Sequence, residues 1–276
     1  MHALTAIESW GAPNAAAAVV PGAGSATTHG DIDRVFRLAS VTKLITAYAV
    51  LIAIEDGVVS LDDAAGPPGA TVRHLLAHAS GLPFEGSVPI SRPAATRIYS
   101  NPGFDALGAY LAERAGVAFE RWVTDRVIKP LGMTATRPEG RPSAGMHAPL
   151  RDLARFATEL LRPTLVPAAR LATATDVAFP GLAGVLPGLG RFEPLDWGLG
   201  FELRDGKVPH WTGQHNSPRT FGHFGGSGTF LWVDPVADLA LVVLTDREFG
   251  PWALDAWPAI SDAVLASDRG IRPRRG

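Results

Sequence analysis

The chain has 276 residues, 46% of them apolar and 19% charged, with a formal net charge of -2. That is enough apolar material for one large core or two packed lobes, and it excludes a globally disordered chain and a broad basic surface for nucleic acid. The absence of cysteine excludes disulfides, thiolate catalysis and Cys-ligated metal. The N-terminus lacks a basic region, and its one apolar run, residues 15–20, is too short for a secretory signal. A cytoplasmic chain is therefore expected, although a secreted form trimmed of its signal would read the same. No run approaches the length of a membrane span. The C-terminal cluster Arg269, Arg272, Arg274 and Arg275 reads as a solvated tail.

Of the 25 cationic residues only three are lysines: Lys43, Lys129 and Lys207. Arginine fills nearly every generic cationic position. A surviving lysine therefore hints at a place where the charge must be able to leave, which a guanidinium cannot do.

In chain order, residues 15–20 and 25–29 read as two strands across the turn Pro21-Gly22-Ala23-Gly24. Residues 35–38 lead into a strong helix, with Val41, Leu44, Ile45, Tyr48, Leu51 and Ile52 at the spacing of a buried face and Gly57 as its stop. Further helices are predicted over 71–78, 103–115, 119–128 and 150–161. Residues 83–98 and 163–195, rich in Pro, Gly and Ala, read as long connections of the kind that often carry function. Residues 197–203 read as a strand before the hairpin signal Asp205-Gly206, and 230–233 and 239–244 as two apolar strands. Residues 255–265 read as a closing helix that makes core of its tryptophan. Strands at both ends with helices between them give an α+β fold: an antiparallel β-sheet flanked by helices, plus an inserted, mostly helical lobe. The expected division is an α/β lobe of about 1–65 and 196–276 and a helical lobe of about 66–195.

Three segments carry chemistry. In Ser40-Val41-Thr42-Lys43, residues three apart share a helical face, so hydroxyl and amine can meet. The serine lies at the N-terminal end of the helix, where developing negative charge is favoured, and burial of the lysine would lower its pKa and free it as a base. The plain alternative is a capping serine and a surface lysine. In Tyr99-Ser100-Asn101, the tyrosine is expected at an exposed turn, where its phenolate beside a cationic lysine could serve as base. Asn101 offers a donor and an acceptor to a substrate, or caps the helix with Pro102 at its first position. In His223-Phe224-Gly225-Gly226-Ser227-Gly228, the glycines allow close backbone approach, and an N–H there could pair with that of Ser40 as an oxyanion hole. A glycine-rich hairpin entry is the alternative.

Taken together and in this order, Ser40-x-x-Lys43, Tyr99-x-Asn101 and His223-x-Gly225 resemble the serine β-lactamase-related, penicillin-binding-protein-like family, which includes class C β-lactamases, DD-peptidases and esterases. Leu75-Leu76-Ala77-His78-Ala79-Ser80-Gly81-Leu82, Pro130-Leu131-Gly132-Met133 and Trp197-Gly198-Leu199-Gly200 agree, so the resemblance runs over about residues 15–265. It implies a site between an α/β lobe and a helical lobe. Ser40 would be acylated, Lys43 and Tyr99 would shuttle the proton, and Asn101, His223 and Gly225 would bind substrate. The backbone N–H groups of Ser40 and Gly226 would form the oxyanion hole. His223 stands where classical β-lactamases carry lysine; a lysine holds a substrate carboxylate with a fixed charge, and a histidine does so less reliably at neutral pH.

The expected activity is hydrolysis of an ester or amide through an acyl-enzyme, esterase-like or D-amino-acid peptidase-like, with no metal or organic cofactor. The expected partner is a small ester, amide or peptide, not nucleic acid, and the sequence assigns no oligomeric state. β-Lactamase or penicillin-binding activity stays open as an alternative, as does a non-catalytic ligand sensor. A metal-dependent hydrolase would need His74 and His78 as a zinc pair, but the zinc-protease glutamate is missing between them. His210 and His215 are expected at the surface or the cleft rim.

Overall fold

The computed structural model describes residues 2–271. Of the tail cluster, Arg272, Arg274 and Arg275 lie outside the described residues. After a 3-10 helix (His2–Trp10), the chain forms β1 (Ala15–Pro21), β2 (Thr27–Gly30) and β3 (Val35–Arg37), then α1 (Thr42–Glu55) and α2 (Val72–Leu76). Next come β4 (Arg97–Ile98), α3 (Asn101–Ala115), α4 (Phe119–Val123), β5 (His147–Pro149), α5 (Leu150–Leu161) and α6 (Ala168–Ala174). The chain ends with β6 (Gly184–Leu186), β7 (Gly190–Phe192), β8 (Glu202–Leu203), β9 (Phe221–Gly225), β10 (Thr229–Asp234), β11 (Leu239–Thr245) and α7 (Pro251–Ile271).

The main sheet runs β2-β1-β11-β10-β9-β8, and every neighbouring pair in it is antiparallel. Strands from the two ends of the sequence thus meet at β1 and β11, in the register Ala15↔Thr245 to Pro21↔Leu239. The central strands are apolar on both faces because both faces are covered. Side chains alternate across a strand, and here the alternation separates two cores. Ala16, Ala18, Val20, Leu231, Val233, Ala240, Val242 and Leu244 pack with α1 and α5. Ala17, Val19, Phe230, Trp232, Leu239, Leu241 and Val243 pack with the N-terminal 3-10 helix and α7. Trp232 Nε1 donates to Ser261 Oγ at 3.1 Å, which fixes α7 against its face of the sheet.

Helix α1 is more deeply set than its pattern predicts. Residues 42–53 are all buried, Thr42, Lys43 and Thr46 included. A helix surrounded by protein needs no polar stripe. Gly57, with φ +70°, follows its C-cap as expected.

Several predicted elements differ. The helix foreseen over 119–128 changes to a π-helical turn at Thr124–Ile128. The connections 83–98 and 163–195 are not structureless: they supply β4, α6, β6 and β7, and β4, β6 and β7 form a small sheet of their own. The strand expected over 197–203 shrinks to Glu202–Leu203, because the chain bends through Gly200 at φ +93° against Ala47 of α1. Asp205-Gly206 opens no hairpin. Strand β8 pairs instead with β9, across the long loop that follows. The closing helix starts earlier and ends later than 255–265.

Candidate active site

Ser40 lies in a single 3-10 turn (Ala39–Val41) that delivers the chain from β3 into α1. Ala39 before it holds φ +46°, a conformation that costs an alanine about 1–2 kcal/mol and persists only where the surroundings enforce it. They do so here from two sides. Leu38 N donates to Met146 O at 3.0 Å. Thr229 Oγ1 and Ser227 Oγ donate to Leu38 O (2.9 Å) and Arg37 O (2.7 Å). The β9–β10 turn thereby clamps the backbone that presents Ser40. Gly225 shows why this approach needs glycine: a Cβ there would sit 2.4 Å from Leu38 O and 2.6 Å from Thr229 Oγ1. Gly226 has open space around its Cα and lines the cavity at Ser40.

Lys43 lies one helical turn beyond Ser40 and is completely buried. Its Nζ is 2.6 Å from Asn101 Oδ1, 2.9 Å from Ser143 O and 3.3 Å from Ser40 Oγ. The ring faces of Tyr99 and Phe104 are 4.7 and 5.6 Å away. Burial lowers the Lys43 pKa to about 7; Asp105 and Glu85 pull upward and Arg141 pushes further down. A neutral amine has two N–H donors and one lone pair. As an ammonium Lys43 donates to all three oxygens, Ser40 Oγ included; loss of one proton frees a lone pair within reach of Ser40.

Asn101 is free for this contact because Ser100, not Asn101, caps α3. Ser100 Oγ accepts from Gly103 N at 3.0 Å, and Asn101 occupies the first helical position that was expected for Pro102. The Asn101 Nδ2 donates to Glu85 Oε1 at 2.8 Å, so the carboxylate fixes which end of the amide faces Lys43. Arg141 Nη2 binds both Glu85 Oε2 (3.1 Å) and Asp105 Oδ2 (2.6 Å). Asp105 Oδ1 accepts from Ser143 N at 3.1 Å. No sequence motif marks Glu85, Asp105, Arg141 or Ser143. Glu85 lies in a segment read as a connection, and no periodicity marks such a residue.

Tyr99, expected at an exposed turn, is only 7% exposed. It follows β4, whose Arg97 is buried and donates to the backbone carbonyls of Leu195 (2.6 Å), Ala178 (2.7 Å), Phe179 (3.0 Å) and Ala77. Burial pushes the Tyr99 phenol well above its usual pKa, and a hydrogen bond with Ser40 pulls the other way. The resting site therefore carries a phenol rather than a phenolate. His78 packs on Tyr99, with ring centroids 4.6 Å apart, and its Nδ1 accepts from Ser100 N at 3.0 Å. With φ +53°, His78 has left α2, so it does not share a helical face with His74, whose Nδ1 sits 2.9 Å from Thr71 Oγ1.

His223 is buried in β9, and its Nδ1 is 2.6 Å from Phe224 O. Burial, with Lys43 nearby, lowers its pKa to about 3, so the imidazole is neutral. As an N–H donor to that carbonyl, Nδ1 leaves Nε2 as a buried acceptor without a hydrogen-bond partner. His210, expected near the surface, is buried with Nε2 3.1 Å from Glu202, whereas His215 is exposed beside Asp262. Lys207 is buried too, with Nζ 3.1 Å from Glu202 Oε1.

Ser40, Tyr99, His223 and Gly226 line one cavity of about 200 Å³, together with Phe84, Leu186, Pro187, Gly188, Phe224 and Phe249. A larger, open groove of about 770 Å³ between α5, α6 and residues 203–221 contains none of Ser40, Lys43, Tyr99, Asn101, His223, Gly225 and Gly226.

The profile of the Beta-lactamase family matches residues 5–265. The chain belongs to the beta-lactamase family. A family member of known structure, a beta-lactamase from Mycobacterium bovis, is 57% identical, with a TM-score of 0.95 over 96% of this chain and 99% of that one. Among curated relatives, D-alanyl-D-alanine-carboxypeptidase/endopeptidase AmpH of Escherichia coli (strain K12) is 29% identical over 142 residues, 38% of this chain and 37% of AmpH. Penicillin-binding protein 4* of Bacillus subtilis (strain 168) is 27% identical over 139 residues, 38% of this chain and 31% of that protein. The match spans about a third of the length of these curated relatives. No helix among the described residues is long and apolar enough to cross a membrane.

Proposed function

We propose that the chain is a serine hydrolase that cleaves a small ester, or less readily an amide, through an acyl-enzyme on Ser40. The observation that carries this reading is the Lys43 amine. It is fully buried, has a pKa near 7, and donates to Asn101, Ser143 and Ser40, so that loss of one proton frees a lone pair beside the Ser40 hydroxyl.

Ser40 Oγ attacks the carbonyl carbon as its proton passes to Lys43, and the backbone N–H groups of Ser40 and Gly226 receive the oxyanion. The bond to the leaving group breaks as that proton, relayed through the Tyr99 hydroxyl, is delivered to the departing oxygen or nitrogen. A water molecule then repeats the sequence. It gives a proton to the Lys43–Tyr99 pair, adds to the acyl carbon, and releases the acid while Ser40 recovers its proton. Lys43 and Tyr99 act as one coupled unit, with the amine as proton store and the phenol as carrier. His223 lines the cavity beside Ser40, while Asn101 acts on Lys43. A neutral imidazole supplies no fixed charge for a substrate carboxylate, which favours an ester over a penicillin or a D-alanyl peptide.

Peptidase or penicillin-binding activity is the second reading, favoured by the names of the curated relatives. Steady-state rates with p-nitrophenyl butanoate and with a penicillin separate the two. Ester turnover that exceeds penicillin turnover and disappears in Ser40→Ala supports the esterase reading. Equal ester rates in Ser40→Ala defeat it.

A further inference from the structure

Resting on the acyl-enzyme reading, we propose that the turn Leu186-Pro187-Gly188 and Phe249 form an acyl pocket that admits a short, uncharged, apolar acyl group and sets its length. The cavity that holds Ser40 and Gly226 must hold the reacting carbonyl carbon, because nucleophile and oxyanion donors converge there. The rest of its wall is apolar: Phe84, Leu186, Pro187, Phe224 and Phe249. The one titratable side chain besides Tyr99 is His223, held neutral by burial.

The floor of the pocket is built from close contacts. Gly188 holds φ +80°, and a Cβ there would lie 2.5 Å from Phe249 Cε1, so backbone rests directly against the ring. The ring is fixed in turn by Phe224 and Trp257, at centroid distances of 4.9 and 5.2 Å. Phe249 N donates to Gly226 O at 2.9 Å, which ties the floor to the oxyanion strand. The volume of about 200 Å³ is below the usual range for a drug-sized ligand. At that size it suits an acyl group of a few carbons rather than a long chain.

A second recess of about 400 Å³ shares Phe84, Tyr99 and Pro187 with the first and opens beyond them. It begins at Tyr99, the proton carrier, and so suits the leaving group. Its two cations do not alter the acyl side. Arg97 spends its guanidinium on backbone carbonyls, and Arg191 Nη2 pairs with Glu193 at 2.7 Å.

The test is kcat/KM and intact-mass acylation of the whole protein with p-nitrophenyl acetate, butanoate, hexanoate and decanoate and with mono-p-nitrophenyl succinate. Wild type is expected to peak at butanoate or hexanoate. Decanoate should be at least about tenfold slower, since an overfilled apolar pocket discriminates by that order. Succinate, which matches butanoate in length but ends in a carboxylate, should be at least about tenfold slower than butanoate, because nothing in the pocket pairs a buried charge. Phe249→Ala should move the optimum to a longer chain. Leu186→Ala gives a second reading should Phe249→Ala fail to fold. If Ser40 is acylated but the profile is flat, unmoved by both variants, or as fast for succinate as for butanoate, the pocket assignment is overturned and the hydrolase reading stands. If no ester acylates Ser40, both fall.

Discussion

At the scale of single residues, the account turns on where one proton resides. Above pH 7 the Lys43 amine is neutral and can accept the Ser40 proton; below pH 7 it is an ammonium and cannot. Ester kcat/KM is therefore expected to rise with pH through an acid limb near 7, read from a pH–rate profile. Two substitutions should move that limb in opposite directions. Glu85 raises the Lys43 pKa, so Glu85→Gln should shift the limb to lower pH, whereas Arg141 lowers it, so Arg141→Gln should shift it upward. Shifts of the same sign would contradict this electrostatic picture. Lys43→Ala should lower kcat by about 10²–10⁴-fold, the usual worth of a positioned base. The meeting of Ser40, Lys43 and Tyr99 was legible because it rests on residue types at fixed spacing, and the scarcity of lysine pointed to Lys43. Two of the three lysines are buried and hydrogen-bonded, while Lys129 merely pairs with Asp125 at 2.7 Å on the surface. The residues that orient Asn101 and tune Lys43 were not legible. Glu85 and Arg141 are 56 positions apart in sequence and meet only in the fold.

At the scale of elements, the central requirement is the contact between the end of β9 and the Ser40 turn. Gly225→Ala would drive a methyl into Leu38 O and Thr229 Oγ1, and is expected to cost about 1–3 kcal/mol, as overpacking of a tight core does. Gly226→Ala meets open space and is expected to stay within about 0.5 kcal/mol of wild type. Urea unfolding of the two variants checks the pair; equal destabilisation would mean that close backbone approach is not what Gly225 provides. Element identity followed the sequence closely where periodicity was long, as in α5 and β11. It failed at 163–195 and 197–203, where two- and three-residue strands are set by tertiary pairing, too short to leave a pattern of their own.

At the scale of the whole molecule, the sheet separates two cores, and a buried ionic cluster secures its β8–β9 edge. Glu202 is desolvated, yet His210 and Lys207, with the Trp211 N–H at 2.7 Å, hold its pKa at about 2. A carboxyl depressed in this way contributes stability in full above its unfolded value of 4.5 and loses it as pH falls toward 2. Lys207→Met leaves that carboxylate without its buried cation. It is expected to cost about 3–5 kcal/mol in urea unfolding at neutral pH. The paired ends of the chain were foreseeable from apolar runs near both termini. The ionic cluster was not, since Lys207, His210 and Trp211 lie in a loop without periodicity and meet Glu202 of β8 only in the fold.

Acylation of Ser40 is tested by intact-mass spectrometry of the protein mixed with p-nitrophenyl butanoate and quenched in acid, with peptide mapping of the adduct. The account predicts a gain of one butanoyl group on the peptide that contains Ser40, absent in Ser40→Ala. Undiminished ester hydrolysis by Ser40→Ala, or an adduct mapped to another residue, would contradict it.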